Sequence, residues 1–363
     1  MSVIGGYFGG GSKRCDSAAL SEISRSMHIH GGLREAFIKG RTGIAVGLNG
    51  GEADSSGLYM LEREGEVYAA VISGELLSGG GDGLLSAYVA QGWTCEPPLG
   101  TFSCALCNGR GELLVFRLGE GSPPLYYGEH EGDFAFASSI HGLSGFLGGC
   151  YARLGVLRDH LTAAVGKYGA EDLYVGICGV RRDSGLLFAT DGVSRVFFKS
   201  ASEGAFSTYG SDAGQGFICP TPEKMRELLA DILMAFGYPQ FDAFMPTFIH
   251  CLKQGTSIIT DHSLCMDTAY SEKRRERIFA LCGRRAAVIP PVAQDYGEAE
   301  LRLMEGMLRS ILEEDETEVY ARALGKDWRG VIEREKNTVR RIRTEGMLWQ
   351  TAFWYNKYNV SFI

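Results

Sequence analysis

The rhythm of apolar and polar positions changes near residue 200, and that change divides the chain. Before it, short apolar runs recur between turn residues. Ile4-Gly5-Gly6-Tyr7-Phe8-Gly9 reads as a strand running into a glycine turn. Leu20, Ile23 and Met27 recur at helical spacing, and Asp16 or Ser17 can cap that helix. Residues 41–60 read as a loop-rich strand region. Residues 66–73 predict a strong strand, apolar on both faces, and residues 84–89 begin a short helix. Residues 101–107, 112–118, 125–127 and 134–137 predict short strands, with Asn108-Gly109 and Glu131-Gly132-Asp133 as turns. Residues 174–180, 186–190 and 195–199 add three more. So many short strands at regular intervals imply an α+β region built on stacked sheets.

Residues 201–220 form a Gly/Ser-rich linker, and after it the grammar is helical. Thr221-Pro222-Glu223 caps a helix whose Met225, Leu228, Leu229, Ile232 and Leu233 form one apolar stripe. Residues 236–252 are Phe-rich. Residues 297–313 predict an amphipathic helix through Leu301, Met304, Leu308 and Ile311, and residues 328–343 predict another. The closing Phe353-Trp354-Tyr355-Asn356-Lys357-Tyr358 reads as aromatic packing beneath this second domain. No internal repeat is visible.

Composition narrows the partners. The chain has 363 residues, enough for two cored domains. Its net charge of −8 argues against nucleic acid and against anionic lipid. Its 50 glycines are scattered and accompanied by only 10 prolines, which suits turns between strands and not a collagenous or Pro-rich chain. Ten cysteines without a secretory leader or a long apolar run point to reduced thiols, a cytoplasmic setting and no membrane span. Cys104 and Cys107 have the spacing of a redox or zinc pair. In a strand, however, residues three apart face opposite sides, so both read as buried structural thiols. His28-Ile29-His30 lacks a third ligand at a telling spacing and reads as an exposed turn, leaving no metal site. Lys273-Arg274-Arg275-Glu276-Arg277 and Arg340-Arg341-Ile342-Arg343 read as solvated helix faces.

Candidate chemistry begins at the amino terminus. Loss of Met1 would leave Ser2 with a hydroxyl and a free α-amine, a nucleophile and its base on one residue. Met1-Ser2-Val3-Ile4-Gly5-Gly6-Tyr7-Phe8 resembles the start of the class II glutamine amidotransferases, in particular the asparagine synthetase family. There a Cys holds the place of Ser2. Four more stretches resemble that family in its own order. Tyr68-Ala69-Ala70-Val71-Ile72-Ser73-Gly74-Glu75-Leu76 is similar to its strand entering Asn-Gly-Glu-Ile. Leu99-Gly100-Thr101-Phe102-Ser103-Cys104-Ala105-Leu106 follows, then Arg117 through Pro124-Leu125-Tyr126-Tyr127, then Phe134-Ala135-Phe136-Ala137-Ser138-Ser139-Ile140. Gly176–Arg182 and Phe197-Phe198 resemble the end of its glutaminase domain.

The resemblance implies an N-terminal-nucleophile αββα sandwich over 1–200, the linker 201–220, and a truncated synthetase-like domain over 221–363 that is mostly helical with some α/β character. It places Ser2 as nucleophile, Ser73 and Gly74 at the oxyanion hole, and Glu75 and Asp82 at the substrate. It also shows what has changed. Ser73 replaces an oxyanion-hole Asn, and Gly43-Ile44-Ala45-Val46-Gly47-Leu48 lacks the Arg that grips the substrate carboxylate. The family's His-Arg-Gly-Pro-Asp segment is reduced to His28-Ile29-His30-Gly31-Gly32.

The second half lacks a Ser-Gly-Gly-x-Asp-Ser ATP loop after residue 222. Ser78-Gly79-Gly80-Gly81-Asp82-Gly83 looks like one, but sits in the wrong half and reads as a glycine-rich approach to a helix. Ile258-Ile259-Thr260-Asp261-His262-Ser263 falls where the family has a strand before Gly-Asp-Gly. Together these predict a degenerate asparagine-synthetase-like protein with an accessory or partner role, as a complex with another protein or as a homo-oligomer. No cofactor is expected beyond ATP and Mg, and those only if the synthetase half works. Two enzymatic readings stand beside it. One is an ATP-dependent amide-forming ligase fed by ammonia or an internal amine. The other is an N-terminal Ser amidohydrolase acting on a small amide or amino acid.

Overall fold

The computed structural model describes residues 3–10, 17–27, 33–47, 56–77, 79–92, 99–119, 122–162, 173–189, 192–198, 221–236, 263–267, 285–289 and 298–363. These residues fall into two compact units. The first takes residues up to Cys150 and resumes at Gly176. The second holds Tyr151–Val175 together with the C-terminal helices. Residues 151–162 and 173–175 precede the linker in sequence but group with the C-terminal half. The linker 201–220 itself lies outside the described residues.

Two antiparallel sheets of six strands form the first unit. One is ordered β11-β8-β9-β1-β3-β2, with β1 Val3–Phe8, β2 Glu35–Lys39, β3 Thr42–Gly47, β8 Tyr126–His130, β9 Asp133–Ala137 and β11 Ile177–Gly179. The other is ordered β13-β12-β7-β6-β5-β4, with β4 Gly57–Arg63, β5 Glu66–Leu76, β6 Gly100–Cys107, β7 Leu113–Leu118, β12 Ser184–Ala189 and β13 Gly192–Phe197. β1 is central, pairing β3 from Val3↔Gly47 to Phe8↔Thr42 and β9 from Gly5↔Ala137 to Phe8↔Phe134.

Alternation explains the layers. Ile4, Phe8, Ile44, Val46 and Phe136 meet Val71, Ala105, Val115, Leu186 and Phe188 in one core between the sheets. The opposite face of the second sheet, through Ile72, Phe102, Cys104 and Phe116, packs on α2 (Gly80–Gln91) through Leu84, Leu85 and Tyr88. β5 is apolar on both faces because both are covered. On the outer side of the first sheet lie α1 (Ser17–Ser26) and α3 (Ile140–Ser144), with Leu20, Ile23 and Met27 buried. The unit is thus an αββα sandwich, the layer order the resemblance implies. Cys107 belongs to the inter-sheet core and Cys104 to the core under α2, both fully buried, as period-two alternation requires.

Two features of this unit depart from the sequence pattern. β2 was not expected; its outward residues are mixed and half exposed, so its pattern is weak. α2 starts at Gly80 and not Leu84, entered from Gly79 in the left-handed region at φ 74°.

In the second unit, β10 (Cys150–Ala152) and β16 (Val360–Phe362) pair, and Leu154 N–H and Ile363 N–H donate to Ile363 O and Ala152 O. Helices α4 (Leu154–Thr162), α5 (Pro222–Phe236), α6 (Glu298–Glu314), α7 (Glu318–Leu324), α8 (Trp328–Glu333) and α9 (Thr338–Lys357) surround the apolar side of α9. The helix expected over 328–343 is two helices. Asn337 caps a new start by accepting from Arg340 N–H at 3.0 Å, so α8 stops and α9 runs on through the closing aromatics. Trp354 is fully buried, its ring edge-on to Tyr174 at 5.6 Å and its Nε1 donating to Tyr174 Oη at 3.0 Å. Arg226 on α5 binds Asp315 at 2.7 Å and Glu314 at 2.8 Å, and Trp349 Nε1 donates to Asp315 at 2.8 Å. Burial pushes the Asp315 carboxyl up, but Arg226 and Trp349 outweigh it and hold it below the ordinary range. β14 (Ser263–Asp267) and β15 (Arg285–Ile289) form a parallel pair. No helix among the described residues is long and apolar enough to cross a membrane.

Candidate functional site

The core-facing positions of the second sheet's central strands are apolar, and at one end of that face polar residues line up. There a single transverse row runs Ser73↔Ser103↔Arg117↔Ser184 across β5, β6, β7 and β12. Its members share the parity of Val71, Ala105, Val115 and Leu186, so they point between the sheets. All four are buried, Ser73 at 1% and Arg117 at 5% exposure. Arg117 donates from Nη1 to Val180 O at 3.1 Å and from Nη2 to Ser122 O at 2.8 Å. Ser103 donates to Pro123 O. A buried guanidinium is tolerated here because carbonyl dipoles replace its water.

The row lies toward the end where β1 begins. Phe8, the last residue of β1, packs on Phe188 at 5.6 Å, and Phe188 pairs with Leu113 at the opposite end of the ladder. At the start of β1, Ile4 N–H donates to Ser138 Oγ at 2.9 Å and Ser138 Oγ donates to Ile4 O at 3.1 Å. Ser2, the residue before β1, lies outside the described residues, as do His28, His30 and residues 237–262 and 268–284.

Gly74 follows Ser73 with φ 117°, a conformation that L side chains rarely adopt. Its N–H donates to Ser56 Oγ at 3.0 Å, where Ser56 immediately precedes β4. This is the backbone donor that the resemblance assigns to the oxyanion hole, and here a serine hydroxyl of the same chain takes it. Ser73 Oγ sits in the polar row. Glu75 is half-buried near the end of β5, on the parity of Ser73. Asp82 is exposed in the first turn of α2, and α2 covers the face of β5 that carries Ile72 and Leu76. Ser73 and Asp82 therefore lie on opposite sides of the second sheet, so the fold does not bring these two together.

Ser56, Ser103, Arg117 and Ser184 were missed as site residues. Arg117 carried a readable signal: it is the one charge in Leu113–Leu118, at an inward position. The others become neighbours only through strand register. In the glycine-rich stretch that looks like a phosphate loop, Gly81 packs against the Tyr59 ring, which suits a close helix approach. In the second unit a cleft of about 300 Å³ is lined by Glu316, Glu318, Lys326, Trp328 and Arg329. Arg329 is paired with Glu316 at 2.7 Å and lies over Trp328. No candidate residue lines it. Among the described residues no group of three or more His, Cys, Asp or Glu is placed to hold a metal ion.

No family model matches the chain, and no curated protein matches it. Among solved structures, it is similar to a glutamine phosphoribosylpyrophosphate amidotransferase from B. subtilis complexed with ADP and GMP. That likeness has 13% identity and a TM-score of 0.37, over 64% of this chain and 57% of that one. It is also similar to a structure described as the allosteric regulatory enzyme of purine biosynthesis, at 11% identity and a TM-score of 0.35. That alignment covers 79% of this chain and 64% of the other. The chain thus spans less than two thirds of either structure's length.

Proposed function

We propose that the first unit is a class II glutamine-amidotransferase-type domain that no longer hydrolyses glutamine. In this reading it forms part of an asparagine-synthetase-like chain with an accessory or partner-binding role. The observation that carries the reading is the Gly74 N–H bound to Ser56 Oγ at 3.0 Å. An oxyanion hole works by holding an unspent donor toward the charge that develops in the transition state. A donor already committed to a hydroxyl must break that bond first, and the second donor has become the shorter Ser73 side chain. Loss of one such donor costs about 2.7–4 kcal/mol of transition-state stabilisation in a working enzyme. The resemblance adds the missing carboxylate-gripping Arg and the Cys-to-Ser change at residue 2. Persistence of a fold beyond its chemistry is ordinary, because fold and site are separable.

A second reading, an ATP-dependent amide-forming ligase, draws on the parallel pair β14–β15. Parallel strands need a crossover connection, the grammar of nucleotide-binding α/β domains.

Isothermal titration of the full chain with glutamine, with aspartate and with Mg·ATP separates the two. The accessory reading expects no saturable heat from any of them. Saturable Mg·ATP binding would overturn it in favour of the ligase.

A further inference from the structure

The second unit holds a buried carboxylate that the reading of the first unit does not use. Glu345 lies on α9 with its side chain 1% exposed. One of its oxygens meets Arg309 of α6 at 3.5 Å, and Oε2 is buried without a hydrogen-bond partner. Arg309 is shared, since it also binds Glu305 at 3.2 Å. Glu305 in turn is held by Arg341 of α9 at 2.6 Å. Two carboxylates therefore compete for Arg309, and the one with poorer solvation is Glu345.

We propose that the α6–α9 contact is a proton-sensitive latch, tight when Glu345 is neutral and loosened when it ionises. The ionised group is buried from solvent, with one long and shared cationic contact and Glu305 as a like-charged neighbour. The other elements packed against α9 also carry Asp159 and His160 on α4, the Lys224–Glu227 pair on α5, Glu318 on α7 and Glu333 on α8, and their arginines are engaged elsewhere. Arg226 of α5 binds Asp315 and Glu314, Arg322 of α7 binds Tyr355 Oη, and Arg158 of α4 binds Ala323 O. On α8, Arg329 pairs with Glu316, while β16 is Val-Ser-Phe and carries no charge. Burial first, then Glu305, pushes the Glu345 carboxyl up to about 7 against the pull of Arg309 and Arg341. A carboxyl weaker in the fold than in the unfolded chain keeps its proton through the window between about 4.5 and about 7. Stability is then fully present below that window and falls as pH rises through it.

The test is hydrogen-exchange protection of α9 amides in the full-length chain between pH 6 and 8, corrected for intrinsic exchange rates. Wild type is expected to lose protection about tenfold over that range, the factor given by folded and unfolded values near 7 and 4.5. Glu345→Gln should flatten the profile and hold the protection of the acid end at pH 8. Glu305→Gln, which removes the competing carboxylate and frees Arg309 for Glu345, should lower the Glu345 value and so shrink the loss between pH 6 and 8 well below tenfold. A pH-independent wild-type profile would overturn the latch. So would a Glu305→Gln profile that loses as much protection as wild type, and that arm remains readable if Glu345→Gln fails to fold.

Discussion

Gly74→Ala is expected to destabilise the first unit by about 2–6 kcal/mol, read as a shift of that unit's transition in a denaturant titration. Two costs add. At φ 117° a Cβ strains the backbone, a penalty of about 1–3 kcal/mol. The same Cβ would collide with Thr101 O and stand 2.8 Å from Phe102 Cα, both on the neighbouring strand β6. A well-packed ladder relieves such overpacking only by moving, at about 1–3 kcal/mol more. Gly65→Ala is the control: it has φ 77° with open space around the missing Cβ, so it should show the strain alone. Equal effects at the two positions would refute the close approach of β5 and β6 at Gly74. With a net stability of about 5–15 kcal/mol to draw on, Gly74→Ala threatens the sandwich itself.

Trp354→Ala is expected to cost the second unit about 3–5 kcal/mol, the range for removing a fully buried large aromatic. Trp354→Phe should cost less, because it keeps most of the apolar volume and loses the hydrogen bond to Tyr174. A double-mutant cycle between Trp354→Phe and Tyr174→Phe should return a coupling near 1 kcal/mol. That cycle also tests the division of the chain, since Tyr174 precedes the linker while Trp354 closes the C-terminal half. Strict additivity would break the link between Tyr174 and the terminal helix.

The strands of the sandwich were legible because burial there obeys a two-residue period. Ala69, Val71 and Ala105 face one core while Ala70, Ile72 and Cys104 face the other, so the sequence reads as apolar on both sides. Helix α6 was legible for the same reason at helical spacing, within a residue at each end. What escaped depends on contacts distant in sequence. Tyr174 joins the C-terminal helices through Trp354, 180 positions away. The bond from Gly74 to Ser56 exists only because β4 and β5 pair with Gly57 opposite Ile72. The row through Ser73, Ser103, Arg117 and Ser184 needs three strand registers at once. Glycines hid the first turn of α2, because they score as turn residues even where a helix begins. The break before α9 was legible in principle, as Asn337 is a good capping residue inside a continuous polar-apolar pattern.

The central claim, that the glutaminase framework stands without its reaction, meets its most direct test in ammonia release. The full-length chain, its mature amino terminus verified by mass spectrometry, is incubated with glutamine and the ammonia formed is measured. The account predicts no release above a protein-free control, including in chains that begin at Ser2. Steady, enzyme-proportional release that is abolished by Ser2→Ala would contradict it.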